Sequence, residues 1–350
     1  MTKALYTILY ILISLPGFSQ LTNDWIDYNK SYYKFQVVVD GVYRIDYATL
    51  QNAAQSSGLP LSSINCKDFQ LFGRGQELYI HVEAAGPNNA PMASGDYIEF
   101  YAEKNTGWLD ASYYSFPDWH ANPNVSLFTD TSTYYLTWNN TTPNRRLEAI
   151  SNMNFSGKTT EAYFMFESRV DQLSNPSNGR YIISANSSLY EPEFTEGQGW
   201  TGPTFTSSTH TIDIPTPDVY AAGPTAIATC AIIGSNLQDH SIAVNVAGAG
   251  ATINLSSIEV GKPSYAANPN NLGSPVTNFS FTSQQGSNDR NSVPFAAIEY
   301  PHTLNLSSAT WMKMKIPDGG VGDTAYLSFT SYDDEGETVW LYDLSNKRRI

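Results

Sequence analysis

Ile98 and Phe100 alternate with Tyr97, Glu99 and Tyr101, and Tyr134, Leu136 and Trp138 alternate with Tyr135 and Thr137. Successive side chains of a strand point to opposite faces, so this period of two predicts two half-buried strands. The long stretch between them is aromatic and rich in Asn, Asp and Pro, and follows neither the strand nor the helix period. A connection of that length inside a compact domain is functional or is packed by its own side chains. Trp108, Tyr113, Tyr114, Phe116, Trp119 and Phe128 supply the material for such packing.

Upstream, the apolar run Tyr33–Val39 meets Asp40-Gly41 and returns as Val42–Ile45. Asp-Gly between apolar runs predicts a hairpin with Gly41 at positive φ. Asp46 then reads as the N-cap of one short helix over Tyr47–Ser57, with Gly58 as its stop and Pro60 just beyond. Strands follow at Phe69–Phe72 and Leu78–Val82, joined by Gly73-Arg74-Gly75. That tripeptide reads as a turn: it lacks the Lys-Ser/Thr pair and the following helix of a phosphate loop.

A polar connection over residues 143–160, carrying Arg145, Arg146 and Lys158 as sites for limited proteolysis, separates a first β-rich domain, 20–150, from a second, 160–350. The second opens with Tyr163–Phe166, crosses an Asn/Ser/Gly-rich segment from Ser174 to Ser188 and reaches Gly197-Gln-Gly-Trp200. Strands then recur at sandwich spacing: Thr209–Ile214, Ala226–Ile233, Ser241–Val246, Thr277–Thr282, Ala296–Tyr300, Trp311–Ile316, Ala325–Thr330 and Val339–Tyr342. Met312, Met314 and Ile316 alternate with Lys313 and Lys315, which gives that segment one buried and one wet face. The fold expected is mainly β: an N-terminal mixed β domain with one short helix, followed by a jelly-roll-like β-sandwich.

Composition supports this reading. The 350 residues include 23 Tyr, 16 Phe, 24 Gly and 19 Pro against 15% charged residues, a turn-rich β composition. Lys3, the apolar run Ala4–Leu15, Pro16 and the small residues Gly17 and Ser19 read as a secretory signal peptide over 1–19, cleaved between Ser19 and Gln20. The run is shorter than the roughly 20 residues of a spanning helix, so no membrane span is expected. A chain with such a leader is expected to be exported, and with the resemblance given below the expected places are the periplasm, the outer-membrane surface or the cell exterior. The formal charge of −14, with no basic cluster to offset it, argues against a nucleic-acid partner.

Candidate chemistry is sparse. The only thiols are Cys66 and Cys230, in different expected domains, and they read as small buried hydrophobes rather than a disulfide, which needs Cα atoms within about 7 Å. A cysteine nucleophile needs a histidine to take its proton. Among His81, His120, His210, His240 and His302, only His240 lies close in sequence to a cysteine, Cys230. A strand cysteine facing a sandwich core is ordinarily inert, and that reading is preferred to a Cys230–His240 dyad. Ser235, after Gly234, lacks the Gly-x-Ser-x-Gly elbow. Asn288-Asp289 and Asp333-Asp334-Glu335 could offer oxygens to calcium, but without the Asp-x-Asp-x-Asp-Gly spacing they read as turn acids. No catalytic, cofactor or metal residues are therefore assigned. Of the seven tryptophans, Trp25, Trp138, Trp311 and Trp340 fall at strand positions and read as core, while Trp108, Trp119 and Trp200 could form a sugar-stacking platform.

Several stretches carry a resemblance: FYAEKNTGWLD from Phe100 with the Tyr113-Tyr114 pair and NPNVSLFTDTSTYYLTW to Trp138, VVVDGVYRIDYATL at 37–50, FQLFGRG at 69–75, GQGW at 197–200, EYPHTLNL at 299–306 and VWLYDLSNKRRI at 339–350. In this order they resemble the region ahead of the catalytic domain in gingipain-type cysteine peptidases of Bacteroidetes, in particular the PorU-like sortases of the type IX secretion system. The resemblance covers nearly the whole mature chain and rests on structural rather than catalytic motifs. It implies a non-catalytic prodomain-like or scaffold region, itself inactive, whose partners are a cysteine endopeptidase domain following residue 350 or other secretion-system components. The alternatives are a secreted glycan- or protein-binding β-sandwich module and a hydrolase using Cys230.

Overall fold

The computed structural model describes residues 23–141, 143–150, 154–179, 181–184, 187–189, 194–317 and 325–350; the expected leader over 1–19 lies outside them. Packing divides the chain into two units. One takes the chain to Lys104 with Thr131–Ile150 and Leu341–Ile350, and the other takes Asn105–Asp130 and Ser151–Trp340. Two segments thus fall on the other side of the boundary from the sequence reading: the aromatic loop 105–130 packs in the second unit and the tail 341–350 in the first.

In the first unit, Tyr33–Val37 pairs with Ser132–Trp138, which pairs with Phe69–Gly73 and, through it, Gln76–Glu77; Tyr97–Ala102 pairs with Gly41–Asp46 and His81–Glu83. The alternating residues form one core in which Val37, Phe69, Leu71, Tyr134 and Leu136 of one sheet meet Ile98, Phe100 and Ala102 of the other. The helix Tyr47–Ser57 covers part of it with Leu50 and ends on Gly58 at φ 75°, the left-handed stop its sequence predicts. Asp46 precedes the helix without capping it, because its carboxylate pairs with Arg44 at 2.6 Å. A turn does fall at Gly73-Arg74-Gly75, with Arg74 and Gly75 at positive φ between the paired residues Gly73 and Gln76, but the strand after it is Gln76–Glu77, and in place of the expected Leu78–Val82 the chain forms His81–Glu83 in the other sheet.

The hairpin at Asp40-Gly41 is a correction. Tyr33–Val37 and Gly41–Asp46 lie in different sheets, Gly41 pairs with Ala102, and its φ is not left-handed. The run Val37–Val39 does not alternate, so Val38 and Val39 emerge exposed as the chain crosses between sheets. Asp40 accepts a hydrogen bond from Lys104 N at 2.8 Å instead of closing a turn. The start of the polar connection after Pro143 is pinned to the first unit. Arg146 donates to the carbonyls of Lys67 and Phe69 at 2.7 and 2.9 Å, and Leu147 N to that of Ile80 at 2.9 Å.

The second unit is a two-sheet sandwich. One sheet orders Phe164–Asp171, Asn291–His302, Ala226–Gly234 and the successive short partners Ser264–Ala267 and Val260–Gly261; the other orders Thr209–Pro215, Val276–Ser283, Asp239–Val246 and Ala249–Ser256. Counted along the chain, with the short partners together as sixth, the sheets read first, eighth, third, sixth and second, seventh, fourth, fifth. This is jelly-roll order, as expected from the sequence. The core fills by complementary size: Phe279, Phe281, Ile212 and Ile214 of one sheet face Ala226, Ala228, Cys230 and Ala296 of the other.

Ala231 to Ile233 is buried on both faces, where a register shift occurs, and this accounts for the unbroken apolar run in Ala226–Gly234. The sequence reading missed Ala249–Ser256, an edge strand of mostly small, exposed residues. It also over-assigned the end of the chain. Trp311–Ile316 and Ala325–Thr330 make single bridges such as Met165 to Lys315 rather than ladders, and Val339–Tyr342 contributes only to the short strand Tyr342–Asp343. Met312, Met314 and Ile316 are nonetheless half-buried and Lys313 and Lys315 exposed, because any extended segment lying on a surface alternates, paired or not.

Candidate functional site

The loop 105–130 is built as a closed, self-packed excursion. Its ends are tied where Asn105 N donates to Asp130 O at 2.8 Å and Asn105 Nδ2 to Thr129 O at 2.9 Å. Asp110, buried, is its hub: its carboxylate accepts Leu127 N at 2.7 Å and Ser126 Oγ at 3.1 Å. Gly107, at φ 72°, lies so close that a Cβ would stand 2.7 Å from Asp110 Oδ2 and 2.9 Å from the Ser126 backbone.

Further along, Asn122 accepts from Arg169 at 2.7 Å and donates to Asp171 at 3.0 Å, while Arg169 pairs with Asp171 at 2.8 Å and lies 3.8 Å over the Phe295 ring. This network fixes the loop to the outer face of the Asn291–His302 sheet. GQGW completes the anchor, with Gly197 N donating to Trp119 O at 3.3 Å and Tyr114 Oη donating to Gln198 O at 2.7 Å.

On this frame the aromatic side chains divide in two. Tyr114 is buried, stacked on His120 with ring centroids 5.3 Å apart. Tyr113 and Phe128 point outward, 52% and 64% exposed, and meet edge to face at 5.6 Å; both contact Phe194, at 5.4 and 6.0 Å. Of the expected platform, Trp119 packs edge to face on Phe116 at 4.9 Å, Trp108 is 40% exposed, and Trp200 sits on the strand Gly199–Thr201 opposite Pro176. Phe116, 60% exposed, has the half-buried Trp119 as its partner, so the contacting pair in which both rings are largely exposed is Tyr113 and Phe128, which a count of tryptophans does not single out. Nor is the expectation of four core tryptophans upheld throughout: Trp138 packs on the first unit's core, but Trp311 and Trp340 are exposed.

The thiols are buried and free. Burial pushes the Cys230 thiol up to about 12, and burial, then the Asp96 charge, raises that of Cys66. Both shifts oppose thiolate formation at neutral pH. His240 is not turned to Cys230. Its Nδ1 bonds Asp289 Oδ1 at 2.6 Å, and its Nε2 faces the Asn236 carbonyl at 3.3 Å. Ser283 Oγ donates to the other Asp289 oxygen at 2.6 Å and Asn291 Nδ2 to Oδ1 at 2.8 Å. The residue types of a hydrolytic triad are thus present in the wrong order, with the carboxylate between Ser and His and the set buried; a relay needs the hydroxyl on the imidazole nitrogen remote from the acid. Asp289, read from sequence as a turn acid, is a core hydrogen-bond hub. The other second-unit histidines are packing residues as well: His210 stacks on Phe205 at 5.2 Å and His302 on Phe164 at 4.8 Å.

Asp333 and Asp334 accept the backbone N–H groups of Glu335 and Gly336, at 3.2 and 3.0 Å, as solvated turn acids do. Among the described residues, no three His, Cys, Asp or Glu side chains converge as metal ligands.

No protein-family model matches the chain, and no curated protein does. Among solved structures, the chain is similar to dimeric latent PorU from Porphyromonas gingivalis, at 13% identity and a TM-score of 0.48, over 79% of this chain and 25% of that one. It therefore spans about a quarter of the length of that protein. It is also similar to a carbohydrate-binding module, CBM36, in complex with calcium and xylotriose, at 11% identity and a TM-score of 0.21 over 38% of this chain and 98% of that one. A third likeness is to the ANXUR2 extracellular domain from Arabidopsis thaliana, at 7% identity and a TM-score of 0.25 over 79% of this chain and 89% of that one. Likenesses at these values do not bear on function.

Proposed function

We propose that this chain is the non-catalytic N-terminal region, prodomain-like or scaffold, of a secreted gingipain-like cysteine endopeptidase or type IX secretion sortase. The observation that carries this reading is where the resembling motifs fall. FQLFGRG supplies a core strand and its left-handed turn. The loop motif and GQGW are consumed in mutual anchoring, EYPHTLNL supplies the buried Tyr300 and His302, and VWLYDLSNKRRI supplies the buried Arg349. Each of these motifs serves folding, while both thiols are buried with raised pKa and His240, the histidine nearest Cys230 in sequence, is turned to Asp289, the setting of structural rather than reactive cysteines. The signal-peptide pattern at 1–19 would export the chain, and its partner would be a peptidase domain beyond Ile350 or another secretion component. The expressed chain should leave Arg- and Lys-containing peptides intact under reducing conditions, equally in Cys66→Ala and Cys230→Ala. Turnover lost in either variant would make the chain itself the enzyme.

A second reading, a secreted module that binds glycan or protein, rests on the exposed Tyr113 and Phe128 rings.

A further inference from the structure

We infer that the corner formed by Tyr113, Phe128 and Phe194 is a stacking subsite for a neutral carbohydrate, an assignment that rests on the second reading above and is independent of the first. Three observations narrow the occupant. The first is size. Two aromatic side chains that would each bury about 150–250 Å² when covered, and are 52% and 64% exposed, offer on the order of 200 Å² of ring surface. A specific protein interface takes about 800 Å² from each partner, whereas one or two sugar rings cover an area of the former size.

The second is charge. From Asn105 to Asp130 the loop carries Asp110, Asp118 and Asp130 and no Lys or Arg, on a chain of net charge −14. Phosphate, sulfate or carboxylate ligands would meet these carboxylates with no cation from the loop itself, and the neighbouring Lys262 acts on Asp118. The exposed residues flanking the rings in sequence, Ser112, Ser115 and Thr129, are uncharged; Ser112 Oγ donates to Leu109 O at 2.6 Å and keeps its acceptor lone pairs toward a hydroxyl partner.

The third is rigidity. Both rings stay more than half exposed while held against each other and against Phe194, and the loop that holds them is fixed by the Asp110 bonds to Leu127 and Ser126 and by the Asn122–Arg169–Asp171 network. A preformed platform of this kind loses little conformational entropy on binding, and the C–H faces of a pyranose meet it as an apolar surface.

Native affinity electrophoresis of the whole chain, in gels containing a β-glucan, a xylan or a mannan, and in a gel containing an anionic polysaccharide, tests this. At least one neutral gel should retard the protein, with affinity falling about tenfold or more in Phe128→Ala and in Tyr113→Ala. Tyr113→Phe should keep the binding, and Trp311→Ala, an exposed aromatic elsewhere in the unit, should leave it unchanged. Unchanged melting temperatures would exclude misfolding of variants whose rings are already largely in solvent. No retardation in any neutral gel, retardation only in the anionic one, or equal loss in Trp311→Ala would overturn the assignment. Any of these results would leave the scaffold reading standing.

Discussion

Gly234 sits at the end of a core strand where a Cβ would lie 1.9 Å from Ser257 O and 2.5 Å from His240 Nε2. Backbone cannot yield there, and His240 is held by Asp289. Gly234→Ala should therefore cost about 1–3 kcal/mol or more by urea unfolding. Gly41→Ala, with nothing within 4 Å of its Cβ, should stay within about 0.5 kcal/mol. A large loss for Gly41→Ala would restore the left-handed turn that the structure denies.

His120, His210 and His302 share a second residue-scale property: burial lowers the pKa of all three, offset in His302 by its bond to Thr303 O and in part by Asp218, and in His120 in part by Asp110. In the unfolded chain they titrate near about 6.5. Below that pH the unfolded state binds protons that the folded state refuses, so stability rises with pH and is lost as pH falls from about 6.5 toward the depressed folded values, by up to ~1.4 kcal/mol per pH unit for each histidine titrating. Urea midpoints should thus fall between pH 7 and pH 5, and less steeply in His302→Phe. An identical slope in that variant would remove His302 from the account.

Among the elements, the loop 105–130 is held by few groups, and the buried Asp110 carboxylate ties its two halves through Leu127 N and Ser126 Oγ. Asp110→Ala should leave the sandwich folded while opening the loop to proteases that cut at aromatic residues, with Tyr113 and Phe116 attacked first. Trypsin should cut at the exposed Lys158 before Arg145 or Arg146, whose main chain and guanidinium groups are engaged by Glu77 and by the carbonyls of Lys67 and Phe69. Elements set by local signals were legible from sequence. The helix Tyr47–Ser57 had its glycine stop, and most sandwich strands had bounded apolar runs. What failed depended on partners distant in the chain. Asp-Gly at 40–41 is a hairpin signal only if the flanking runs share a sheet, and Lys104 claims the aspartate instead. The edge strand Ala249–Ser256 buries too little to leave a pattern.

At the scale of the whole molecule, the least legible feature is the return of Leu341–Ile350 to the first unit. Arg348–Arg349 pairs in parallel with Glu148–Ala149. Arg349 makes a 2.9 Å ion pair with Glu99, its side chain 4% and that of Glu99 9% exposed, and Tyr342 Oη donates to the same carboxylate at 2.5 Å. A charged tail in the sequence thus becomes a buried ion pair, because Glu99 lies on the face that the tail covers. Arg349→Ala should cost about 3–5 kcal/mol by stranding that carboxylate, and adding Glu99→Gln should recover much of it. Additive losses would show that the two residues do not act as a pair.

The candidate site was half legible: the aromatic loop stood out, but which of its rings face solvent depends on GQGW and Phe194 packing beneath them. The scaffold reading itself is tested most directly by the intact mass of the mature polypeptide isolated from its native source, together with labelling of that polypeptide by a thiol-reactive peptide electrophile. The account predicts a species substantially heavier than this 350-residue chain, labelled at a cysteine that is neither Cys66 nor Cys230. A mature polypeptide no larger than this chain, or one labelled at Cys66 or Cys230 while folded, would contradict it.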